Sequence, residues 1–170
     1  MESLVFDTSA LLNFGHRGEL TVLLKRLAGE CRIVTTSSAK AELTDPKRKK
    51  YYAEFLREHF TVQDAAGTPF DLATLSRLSR AIDPGEMTIL MLAAEIKGTA
   101  VLDDKAARRE AKILGLKLTG TVGLLHRGIQ RTWLTDSECL ARVAQLCNTG
   151  FAIPRPAAGQ SFADYFAKLE

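Results

Sequence analysis

The sequence predicts an α/β protein: a three-layer α/β/α sandwich with a mostly parallel central sheet. Three observations carry that expectation. Short β-prone runs alternate with helical stretches along the whole chain, so successive strands are joined by crossovers and come out parallel. The helical stretches open on capping residues and several close on glycine. Two strand runs stop at carboxylates, the first at Asp7 and a later one at Asp103-Asp104. A parallel sheet binds ligands beyond the C-terminal edges of its strands, at the point where strand order reverses.

Taken in order, Leu4-Val5-Phe6 is a strand run that ends at Asp7, with Thr8 or Ser9 as caps for a helix beginning Ala10-Leu11-Leu12. Glu19 to Ala28 places leucines at helical spacing, and Gly29 closes it. Cys31 to Thr36 is a second strand, and Ser37 and Ser38 offer caps for a helix through Leu43. Thr44-Asp45-Pro46 breaks the chain before Lys47-Arg48-Lys49-Lys50 and a helix carrying Tyr51, Tyr52, Phe55 and Leu56. Phe60 to Gln63 is a weaker strand, and Leu72 to Ile82 is helical. Asp83-Pro84-Gly85-Glu86 has Asp at the cap, Pro at the first helical position and Glu at the third. That helix runs to Gly98, and Thr99 to Leu102 is a buried strand. A helix with Lys105, Arg108, Arg109 and Lys112 on its outer face stops at Gly115, Leu116 to Thr119 is another strand, and Gly120-Thr121 opens the next helix. Thr135 to Glu138 is a capping box for a helix ending near Cys147, and Phe162 to Leu169 forms a short terminal helix.

Length and composition narrow the functional classes. The chain has 170 residues, 46% hydrophobic and 25% charged, which suits one globular domain rather than a disordered or low-complexity chain. The expected division is a domain over residues 1–150 and a C-terminal extension over 151–170, whose Phe151, Ile153, Phe162, Tyr165 and Phe166 pack back on the domain or on a partner. No apolar run spans a bilayer, and the acidic start lacks the layout of a signal peptide, so the expected compartment is the cytoplasm. Three cysteines without CxxC spacing argue against a disulfide framework and a structural zinc site. The three histidines are scattered and incidental. A net charge of +3 permits a nucleic-acid partner without requiring one.

The acids carry the chemistry. Asp7 and Asp103-Asp104 emerge on one rim, and Glu42 and Glu86, each in an early turn of a helix, can join them. Each also has a local use: Asp7 suits helix capping, Glu42 a solvated surface, and Glu86 a capping box. One of Asp103 and Asp104 caps its helix, which leaves the other available; helix phase relative to Arg108 favours Asp104 as the ligand. Carboxylates gathered without compensation repel one another and resist ionisation. A hard divalent cation relieves that repulsion, and an all-oxygen set suits Mg²⁺ or Mn²⁺. Such an ion lowers the pKa of its bound water and stabilises charge on a phosphodiester under attack.

Around these acids the sequence resembles the PIN-domain family of metal-dependent nucleases. The matching segments are Val5 to Leu11, Ala41-Glu42-Leu43-Thr44, Gly85-Glu86 with Ile89 to Ala93, and Leu102 to Arg108 running on to Leu125. The last block, with Gly85-Glu86 upstream, is similar to the branch that includes VapC-like toxins. The resemblance implies a ribonuclease in which Asp7, Glu42, Glu86 and the Asp103-Asp104 pair hold one or two Mg²⁺ or Mn²⁺ ions. Glu86 stands where many members have Asp, a longer arm. Ser9 and Thr121 suit either a supporting hydroxyl or helix capping. The resemblance also implies RNA as substrate, a 5′-phosphate product, an antitoxin partner and a homodimer.

Lys47, Arg48, Lys49, Lys50 and Arg108 are the candidate phosphate contacts, and Tyr51 and Tyr52 suit either base stacking or helix packing. Single-stranded or looped RNA fits a narrow acidic cleft best. A phosphatase of the haloacid-dehalogenase type wants a second Asp where Ser9 stands, a receiver domain carries its acidic pair early, and no P-loop or GxGxxG is present. The alternative from a different class is a non-catalytic module that binds RNA or protein.

Overall fold

Leu4, Val5 and Phe6 are wholly buried, the continuous apolar run of a strand covered on both faces. The computed structural model describes residues 1–15, 20–43, 46, 47 and 49–169. Expectations placed on His16, Glu19, Thr44, Asp45 and Arg48 lie outside the described residues.

The chain divides into two compact units, residues 1–120 and 121–170. The first runs β1 (Glu2–Phe6), α1 (Thr8–Gly15), α2 (Thr21–Ala28), β2 (Cys31–Thr35), α3 (Ser37–Glu42), α4 (Lys49–His59), β3 (Thr61–Val62), α5 (Leu72–Ala81), α6 (Pro84–Glu95), β4 (Thr99–Val101), α7 (Lys105–Ile113) and β5 (Lys117–Thr119). The five strands form one sheet in the order β3-β2-β1-β4-β5, and every pairing is parallel. The fold is thus an α/β sheet flanked by helices, as the alternation predicts.

Strand order decides where chemistry sits. From β1 the chain steps one way through β2 to β3, then returns to β1's other side for β4 and β5. The reversal lies between β1 and β4, where Phe6 pairs with Val101 and the Asp7 amide donates to the Val101 carbonyl at 3.1 Å. Both strand-end acids therefore flank the switch point.

Helix ends follow local chemistry. The cap of α3 is Thr36, not Ser37 or Ser38: Thr36 is extended (φ −97°, ψ 161°) and its hydroxyl accepts the Ala39 amide, so both serines fall inside the helix. Asp83 and Glu86 form the expected capping box at α6. Gly115 ends α7 at φ +67°, where a side chain would be strained. Phe6 anchors the core edge-on to Phe14 and Phe60, with centroids 5.4 and 5.2 Å away.

The second unit is helical: α8 (Thr121–Gln130), α9 (Asp136–Asn148) and α10 (Phe162–Ala167), packed on one another. Thr135 and Glu138 make the capping box of α9. Phe162 and Tyr165 are buried, the His126 ring lies 4.2 Å from Phe166, and the Phe162 amide donates to Asp136. Among the described residues no helix is long and apolar enough to cross a membrane.

Candidate active site

Asp7 is the first residue beyond β1 and is almost fully buried. It sits at the cap position of α1, where its Oδ2 accepts the Ser9 amide at 3.2 Å and the Ser9 hydroxyl at 2.7 Å. Burial pushes its pKa up against those bonds, and the charge of Asp83 adds to the rise. Ser9 thus supports Asp7 with its hydroxyl as well as lying in the helix.

Glu86 lies in the first turn of α6, a helix packed on β1 and β4. It is 9% exposed. Its Oε2 accepts the Asp83 amide at 3.1 Å and Asp83 Oδ1 accepts the Glu86 amide at 2.9 Å. Its pKa is pushed up to about 7, chiefly by burial and further by the charges of Asp83, Asp104 and Asp7. Those three acids are near enough to oppose its ionisation. The capping role and the acidic cluster are therefore the same carboxyl.

Glu42 ends α3 and is exposed. The Thr8 hydroxyl donates to its Oε2 at 2.7 Å. Its other oxygen lies over Gly85: a Cβ there would overlap Glu42 Oε1 and stand 3.2 Å from Asp83 Oδ1. Gly85 is what lets Glu42 reach the start of α6. The Thr36 and Thr88 hydroxyls, 2.9 Å apart, tie the two helices together.

The Asp103-Asp104 pair divides its labour. Asp104 is the cap of α7, with Oδ1 accepting the Ala106 and Ala107 amides at 2.7 and 3.0 Å, and it remains electrostatically joined to Glu86. Asp103 Oδ2 accepts from the Asn13 amide group at 3.0 Å. Arg108 turns back over α7, and its Nη1 donates to the Leu102 carbonyl at 3.0 Å. Lys47, Lys49 and Lys50 are exposed, and Lys50 lies 4.0 Å from Glu54. Tyr52 packs into the core, while Tyr51 is 42% exposed.

The donor set fits a hard divalent cation. Asp7, Glu42, Glu86 and Asp104 each have one oxygen oriented by hydroxyl or amide donors, and in each case the second oxygen carries none of those bonds. Among the described residues no three Asp, Glu, His or Cys side chains stand close enough to hold a metal ion as they are. Ionised carboxylates without a cation between them repel one another. Three residues whose spatial role has no signal in the local pattern belong to the site. Asp83 reads in sequence only as a cap, Gly85 as a helix opening and part of the Gly85-Glu86 motif with no spatial role, and Asn13 carries no signal.

Comparison with known proteins bears on the same region. The family described as DUF3368, a PIN domain, matches residues 3–161. A chain in the crystal structure of VapBC2 from Rickettsia felis, bound to a DNA fragment from their promoter, superposes with a TM-score of 0.51 at 15% identity, covering 69% of this chain and 98% of its own. The PIN domain endonuclease Utp24 gives a TM-score of 0.44 at 14% identity, covering 70% and 84%. None of the curated proteins matches the chain.

Proposed function

Since the chain belongs to the PIN-domain family and has its nuclease fold, we propose that it is a metal-dependent endoribonuclease hydrolysing RNA phosphodiesters. The observation that carries this reading is the pair of buried carboxyls at the switch point. Burial, with a smaller push from neighbouring acids, disfavours the ionised form of Asp7 and Glu86, and among the hydrogen bonds and ion pairs described they meet no cation.

Asp7, Glu42, Glu86 and one member of the Asp103-Asp104 pair would hold Mg²⁺ or Mn²⁺. When bound, the ion makes its water nucleophilic near neutral pH and offsets charge on the phosphate. The chain's own part is orientation. Ser9 fixes Asp7, Thr8 fixes Glu42, and the Asp83 amide fixes Glu86. One of these carboxylates would accept a hydrogen bond from the attacking water and orient it. The products carry a 5′-phosphate and a 3′-hydroxyl.

An acidic pocket needs basic flanks to draw in a polyanion. Lys105, Arg109 and Lys112 stand at i, i+4 and i+7 on α7, one exposed stripe leading away from Asp104. With Lys47, Lys49 and Lys50 they supply phosphate contacts, and Tyr51 offers a face for an unpaired base. The reading extends to two protein partners, an inhibitory antitoxin and a second copy of the chain.

The test is cleavage of 5′-labelled single-stranded RNA by the full chain in Mg²⁺, in Mn²⁺ and in EDTA, beside Asp7→Asn. Metal-dependent products are expected from the wild type, and a loss of about a hundredfold or more from the variant. RNA binding with no metal-dependent product from either protein would overturn the proposal in favour of a binding module.

A further inference from the structure

Resting on that nuclease reading, we infer that Asn13, Arg108 and Asp103 are positioning residues that brace the end of β4, and that Asp104 rather than Asp103 meets the cation. Three elements converge on this strand end. From α1, the Asn13 amide group donates to Asp103 Oδ2 at 3.0 Å across 90 residues of sequence. From α7, Arg108 Nη1 donates to the Leu102 carbonyl at 3.0 Å. From the end of β5 comes Gly120, and the space it leaves is the third part. A Cβ there would lie 2.7 Å from Asp103 Oδ1, 2.8 Å from the Leu102 carbonyl and 2.9 Å from Arg108 Nη1. The carboxylate and the guanidinium thus share one small gap that admits no side chain.

The brace gives its members their roles. Asp103 is engaged on one oxygen by Asn13 and hemmed on the other by the backbone at Gly120. Asp104, next in sequence, is fixed through Oδ1 and stands within electrostatic reach of Glu86. Asn13 lies on α1, the helix that Asp7 opens, so its bond to Asp103 links the two strand-end acids of the switch point. Outer groups that hold ligands in place commonly set metal affinity by about 10–100-fold.

The experiment is Mn²⁺ titration of the full chain by calorimetry, with thermal unfolding in EDTA as a check on folding. Asp103→Asn keeps an acceptor for Asn13 and is expected within about threefold of the wild-type Kd, whereas Asp104→Asn falls by at least about thirtyfold. Asn13→Ala is expected to weaken Mn²⁺ about tenfold without changing the number of ions bound, and Asn13→Gln to regain part of that loss. Equal losses from Asp103→Asn and Asp104→Asn would make Asp103 a ligand and overturn the assignment. An unchanged Kd in Asn13→Ala would do the same for Asn13. Wild-type protein that binds no Mn²⁺ would instead remove the metal reading itself, and this inference with it.

Discussion

Glu110 and Glu86 are both buried glutamates, 2% and 9% exposed, in helices of the same unit, and their surroundings are opposite. Glu110 on α7 pairs with Arg77 of α5 and lies 3.3 Å from the Arg109 guanidinium. Glu86 meets Asp83, Asp104 and Asp7. A carboxylate buried for packing brings its cation with it, because an uncompensated buried charge is expensive. A carboxylate buried among other acids has its ionised form disfavoured unless a cation joins it. The contrast separates a structural acid from a candidate ligand without reference to any relative.

The strongest way to break the comparison is at Glu110. Arg77→Met keeps the aliphatic stem and removes the charge, leaving Glu110 with Arg109 alone. Arg77 is partly exposed, so a loss of about 2–3 kcal/mol is expected by urea unfolding. Metal-dependent cleavage by the folded fraction is expected to stay as in the wild type. A loss of cleavage with unchanged stability would contradict the structural role.

The reverse substitution on the rim has the opposite sign. The Glu86 carboxyl holds its proton to about pH 7 when folded, against 4.5 ordinarily. Its contribution to metal-free stability is therefore whole below about pH 4.5 and is lost as pH rises through 7. Asp7 shifts the same way. Glu86→Gln still accepts the Asp83 amide and carries no charge. In EDTA at pH 8 it is expected to be more stable than the wild type, on the order of 1–2 kcal/mol after solvent screening. Saturating Mn²⁺ is expected to raise the wild-type Tm and to leave that of Glu86→Gln nearly unchanged. Equal slopes of Tm against pH in the two proteins would show that Glu86 is not the strained acid.

The smallest effect sharpens the comparison from outside both regions. Thr135 and Glu138 form a capping box in the second unit, with no buried charge involved. Thr135→Ala is expected to cost about 1 kcal/mol, read by thermal unfolding, with cleavage and Mn²⁺ affinity unchanged.

Much of this site is legible in the sequence. The run Leu4 to Phe6 ending at Asp7 announced a buried strand and its ligand-facing end, and Asp83 to Glu86 announced a helix start. In sequence Asp83 reads as a cap and no more, because capping is a local pattern and its charge matters only beside Asp7 and Glu86. Helix phase pointed to Asp104, and the expectation that one member caps its helix is met by that same residue, so the capping acid and the acid facing Glu86 coincide. The basic neighbours of Arg108 suggest a phosphate contact, and only the structure shows that its Nη1 also donates to the Leu102 carbonyl.

The order of strands and helices along the chain, the acids at the strand ends and the capping boxes at Asp83 and Thr135 were determined by the sequence alone. Propensity, capping and the two-residue or 3.6-residue period act between neighbours along the chain. Which carboxylates share a field, why Gly85 and Gly120 are glycines, and how Asn13 reaches Asp103 were decided by the tertiary structure. Those relations join residues tens of positions apart, and only the parallel pairing of β1 with β4 brings them within hydrogen-bonding and Coulombic range.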